Sequence, residues 1–213
     1  MKRLLYLDNL KVCLTVLVIF HHAGQAYGDG GGWAYTPSNP AEVMPWIWPF
    51  GIIPLPMEPA HYLQYVMMFV VGILASRIRW LERISKATGF LSLVIGCLLA
   101  LGIYLRDGGE WNNFVTEWFG IYESLLCVFI SFGLLWLFRE YGCWHSKFWQ
   151  WCSAQAYGAY IVHLLLMIAL QNAVDGIWMG AFGKFMFIGV TSTIASFGLT
   201  WLLRMIPHVK KVL

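Results

Sequence analysis

Six stretches of this chain, at about residues 10–27, 62–78, 90–105, 118–138, 154–170 and 185–203, are nearly unbroken runs of apolar side chains. Each approaches the roughly 20 residues that a helix needs to cross the hydrocarbon of a bilayer. The composition agrees with membrane spans. Of 213 residues, 59% are hydrophobic and only 12% charged, about half the charge that a water-facing domain carries. Water-soluble globular, disordered, fibrous and nucleic-acid-binding classes are all disfavoured by that count. The chain reads as an all-α polytopic integral membrane helix bundle of about six transmembrane helices, forming a single membrane domain over residues 1–213.

Charge placement gives an orientation. With the N-terminus inside, the inner segments hold Lys2, Arg3, Arg77, Arg79, Arg83, Lys86, Arg139, Lys147, Arg204, Lys210 and Lys211. The outer loops then hold only Arg106 and Lys184, which is the positive-inside bias. Both termini are therefore expected to be cytoplasmic, in a cell (inner) membrane of bacterial type. The first run is not a secretory signal, because it carries Asp8, Lys11, His21 and His22 and no small-residue cleavage site follows. Residues 28–60 form a Gly/Pro/Trp-rich outer connector. All but one of the chain's prolines fall there, which prevents a regular helix. The five cysteines show neither CxxC pairing nor metal spacing, so no disulfide framework and no metal site is expected. A net charge of +3 implies no polyanionic partner, and the expected surroundings are the lipid bilayer.

Ionisable residues in a membrane helix are costly and default to a functional hypothesis. His22 is eleven positions beyond Lys11, nearly three full turns, so the two lie within about 20° on one helix face and about 16 Å apart along the axis. Asp8 is three residues before Lys11 and within reach of it. It lies about 21 Å from His22, too far to orient that ring, so a Ser/His/Asp triad is not readable in this helix. His22 could act as a lone general base on a hydroxyl if another span supplied its hydrogen-bond partner. His21 and His22 as polar packing residues near the interface is the competing reading, since adjacent helical residues do not share a face.

Leu7-Asp8-Asn9-Leu10-Lys11, ten residues, then His22 resembles the opening motif of the membrane-bound acyltransferase 3 family. The run from His22 to Gly28, residues 65–74 leading to Trp80-Leu81-Glu82, and Tyr157-Gly158-Ala159-Tyr160-Ile161-Val162-His163 are similar to further parts of it. The resemblance implies acyl transfer across a membrane, with an acyl group, often acetyl, taken from cytoplasmic acyl-CoA. The acceptor would be a hydroxyl of an extracytoplasmic glycan or lipid-linked molecule. His22 would be the catalytic histidine, Lys11 the basic residue of the motif and Asp8 its acidic companion. No bound cofactor is implied, acyl-CoA being a substrate. The family usually has about ten spans, so this chain resembles a shortened member lacking the central ones, with residues 28–60 at their position.

Other polar positions complete the candidate set. Glu123, the only carboxylate well inside a span, is the candidate to orient or exchange a proton with His22. His163 shares a helix face with Tyr160; the two, with His21, are candidates for binding substrate, and an interhelical hydrogen bond is the alternative for His163. Arg77, Arg79 and Arg83 set topology or contact anionic lipid. Two other functional classes fit the residues alone. One is a small transporter or proton pathway using Asp8, His22, Glu123 and His163. The other is an inactive remnant that serves as a membrane interaction protein. The sequence leaves the oligomeric state unknown.

Overall fold

The computed structural model describes residues 4–27, 35–38, 70, 72–74, 77, 80–105 and 113–209, the side chains of 81, 103–105, 113–120 and 123 excepted. The regular structure among the described residues is helical, with no strand. In chain order they form α1 (Leu5–Gln25), a 3-10 turn (Trp80–Arg83), α2 (Lys86–Leu105), α3 (Asn113–Tyr141), α4 (Lys147–Ala173) and α5 (Ala181–Leu203). Four of these, α1, α3, α4 and α5, have the length and apolar character to cross a membrane, and the apolar part of α2, Lys86–Gly102, is shorter. The run at 62–78 lies outside the described residues except for 70, 72–74 and 77, as does the connector apart from residues 35–38. Where they can be compared, the helices begin before the apolar runs. Backbone groups in lipid must be satisfied internally, so a helix continues through its polar flanks until a capping group ends it. Ser146 caps α4 in this way, accepting from the Trp149 N–H at 3.2 Å, and Ser85 accepts from Thr88 N–H at 3.0 Å at the start of α2.

The chain divides into two compact units, Met1–Leu10 with Met57–Trp144 and Lys11–Pro56 with His145–Leu213. In the first, α2 and α3 pack antiparallel, with Gly96 against Ile130 and Gly133 against Leu93. Small residues let membrane helices approach until backbones touch. A Cβ on Gly133 would stand 2.6 Å from Leu93 Cα, a backbone atom that cannot swing aside. Gly133→Ala is therefore expected to force the two helices apart and destabilise by about 1–3 kcal/mol, read as a lower unfolding midpoint in detergent. At one end of this unit the Arg139 guanidinium donates to Ile84 O at 2.7 Å and contacts Glu140, which also pairs with Lys86 at 3.3 Å. Asn9, near the start of α1, donates to Gly142 O at 2.6 Å and Trp144 O at 3.0 Å.

In the second unit α4 and α5 are antiparallel, Gly158 facing Thr200 and the Arg204 guanidinium reaching Ala154 O. With α1 they enclose a core that includes Ile19, Ala23, Ala156, Ala159, Met167 and Ile188. Phe20 closes on Phe185 edge to face, with centroids 5.9 Å apart, and its ring lies against Gly189.

The residues facing inward along α5 are Lys184, Ile188, Ser192, Ser196 and Thr200, at intervals of four, all fully buried. Phe187, Val190, Ile194 and Trp201 of the same helix are exposed. In water this arrangement would be inverted. In lipid it is the stable one, because apolar side chains lose nothing by facing acyl chains and polar ones are held between helices.

Candidate functional site

The second unit brings His22 of α1 against His163 of α4, ring centroids 5.4 Å apart and planes 29° from parallel. His21 lies beside His22, also at 5.4 Å but tilted by 59°. Adjacent positions on α1 thus point in different directions while their long rings still meet. His22 Nδ1 is 2.7 Å from Gln25 Oε1. An amide oxygen can only accept, so Nδ1 carries the hydrogen and Nε2 is the basic nitrogen of the neutral ring. An orienting group thus comes from the next turn of the same helix, at i+3. Sequence reasoning missed Gln25, although its spacing from His22 was the available signal.

His163 is buried, and its Nδ1 donates to the Tyr160 carbonyl at 2.5 Å. The same tautomer argument leaves Nε2 as an acceptor, and that atom has no hydrogen-bond partner. The Tyr160 ring is exposed and its centroid lies 5.6 Å from that of His163. Tyr160, His163, His21 and His22 therefore gather at one place.

The remaining candidates sit elsewhere. Lys11 is exposed, and its carbonyl accepts from the Thr15 hydroxyl at 2.9 Å. Asp8 is half-buried in the first turn of α1, where a carboxylate complements the helix dipole. Glu123 is helical within α3, and its side chain lies outside the described residues, as does the whole of Arg79. Arg77 is exposed.

Lys184 corrects the sequence reading. It is not in an outer loop but in the first turn of α5, fully buried. Its ammonium donates to the Asp175 carbonyl at 2.7 Å, which meets the requirement that a buried charge be hydrogen-bonded. The Asp175 carboxylate takes hydrogen bonds from the Tyr35 and Ser38 hydroxyls, and from Ser38 N–H at 3.2 Å. This clasp ties residues 35–38 to the α4–α5 turn.

The Ser38 and Tyr35 donors, followed by the nearby Lys184 charge, lower the Asp175 pKa to about 2 from its ordinary 3.8. A depressed carboxylate pKa stabilises the fold above the unfolded value, and that contribution is lost as pH falls through the folded one. Wild type should therefore melt above Asp175→Asn at neutral pH. The gap is expected to close between about pH 4 and about pH 2, and thermal melts across that window check it.

Apolar faces turned outward and polar side chains held between helices define a polytopic membrane protein, with a histidine pair inside one bundle. The acyltransferase 3 family model, an acyltransferase domain, matches residues 35–204. The chain belongs to that family. The match includes Tyr160 and His163 and begins beyond α1, so Asp8, Lys11, His21 and His22 precede it. No curated protein and no solved structure matches the chain.

Proposed function

We propose that this membrane acyltransferase moves an acyl group, acetyl in the simplest case, from cytoplasmic acyl-CoA to a hydroxyl of an extracytoplasmic carbohydrate or lipid-linked acceptor. The host membrane would be a bacterial inner membrane. The observation that carries the reading is the His22 ring, held at Nδ1 by Gln25 and stacked on His163. His22 Nε2 is then the general base. It takes the acceptor's hydroxyl proton as that oxygen forms a bond to the thioester carbonyl carbon. Collapse of the tetrahedral intermediate breaks the C–S bond, and the imidazolium returns the proton to the departing thiolate. Gln25 fixes the tautomer throughout.

Exposed Lys11 suits attraction of the anionic donor, with Asp8 as its acidic companion. Glu123 stays a candidate to exchange a proton with His22, and His21, Tyr160 and His163 would contact substrate. Calorimetry of the detergent-solubilised protein with acetyl-CoA tests the donor. Saturable binding is expected, weakened in Lys11→Ala. A folded protein with no detectable binding would leave the inactive-remnant reading in its place.

A further inference from the structure

Three buried polar atoms in the second unit that have no hydrogen-bond partner bear on the region beside His22. They are His163 Nε2, Ser192 Oγ and Ser196 Oγ. Ser192 and Ser196 are wholly inaccessible and His163 is 1% exposed.

Their heights coincide. Gly158 faces Thr200 and Ala154 faces Arg204, so the antiparallel register sets residue 163 level with residue 195. Ser196 is then within one residue's rise of His163, and Ser192 one turn further along the same face of α5. Ser192 is also midway along α5, where no bulk water reaches in a bilayer.

The serines had a local alternative. Thr200 and Thr193 turn their hydroxyls back onto the Ser196 and Gly189 carbonyls, the usual way of satisfying a hydroxyl in an apolar helix. Ser192 and Ser196 do not. His163 Nδ1 is bound to its own helix, so Nε2, on the far side of the ring, is directed away from that backbone. Because the two imidazole planes are 29° from parallel, its in-plane lone pair passes His22 and does not end on it.

We propose that His163 Nε2 and the Ser192 and Ser196 hydroxyls form a hydrogen-bonding subsite beside His22 for an N–H- or O–H-bearing part of a substrate. An imidazole lone pair requires a donor, and the two hydroxyls can donate or accept. Amide groups on the donor's pantetheine arm and the acceptor's hydroxyl both have that chemistry. The proposal rests on the acyl-transfer reading of His22.

The test uses Ser192→Ala/Ser196→Ala. Removing an unsatisfied buried hydroxyl is neutral or stabilising for a purely structural serine, so the variant should fold and melt at or above the wild-type temperature. Two readouts separate the sources: the calorimetric Kd for acetyl-CoA, and CoA release from saturating acetyl-CoA by the protein in native membranes.

A Kd weakened by roughly tenfold or more assigns the subsite to the donor's amides. An unchanged Kd with CoA release lowered by a similar factor assigns it to the acceptor hydroxyl. If His22→Ala abolishes release while the double variant matches wild type in both readouts, the subsite is overturned and the acyl-transfer reading stands. Wild-type protein that neither binds acetyl-CoA nor releases CoA overturns both.

Discussion

Substituting His22 by Ala is expected to lower CoA release from acetyl-CoA by about 10²–10⁴-fold, the usual contribution of a positioned general base, with the fold retained. Retention is expected because His22 is half-buried and, apart from the Gln25 amide, which loses its bond to the ring, its neighbours keep their contacts. His163 keeps its bond to Tyr160 O, and Ala23 and Ile19 remain in the core. Helix content and the melting temperature of the variant should therefore stay close to wild type. A properly folded His22→Ala protein that still transfers at the wild-type rate would remove His22 as the base. Gln25→Leu should show a smaller loss, because the base is present but its tautomer is no longer fixed.

The largest effect on stability is expected at Lys184. Lys184→Ala removes a charge-assisted bond to Asp175 O and empties the space of a fully buried stem. Together these should cost about 3 kcal/mol or more, a fall in melting temperature of roughly 6–12 °C for a chain of this size. Lys184→Met refills most of the volume without the donor and should recover about half of that loss. The comparison separates stem packing from charge. A Lys184→Met protein more stable than wild type would mean that the cation is a net liability, its desolvation outweighing its bond.

Much of the architecture was legible because a bilayer imposes a simple rule. An apolar run of the right length has one stable backbone solution, so the runs at 10–27, 118–138, 154–170 and 185–203 correspond to α1, α3, α4 and α5. The helix ends were less legible, since caps such as Ser146 act locally and hydropathy does not register them. Lys184 was misassigned to a loop for the same reason. Its charge marked the edge of an apolar run, whereas its backbone N–H already bonds Gly180 O inside the helix.

The candidate site was half legible. Helical arithmetic along α1 set Lys11 and His22 on one stripe and excluded Asp8 as the orienting group, because spacing within one helix is fixed by its pitch. That His22 meets His163, across 141 positions of chain, followed from no local pattern. It depends on how α1 packs against α4 and α5, where Ala156, Ala159 and Gly158 permit close approach. The inward direction of Ser192, Ser196 and Lys184 was likewise undetermined by sequence, since a helix carrying polar residues every fourth position can turn them to any neighbour. The sequence by itself determined that the chain carries helices long and apolar enough to span a membrane and that Lys11 and His22 share one face of α1, because hydrophobic length and helical pitch are local properties. Only the tertiary structure decided which polar groups meet, because that is a matter of interhelical packing between residues far apart in the chain.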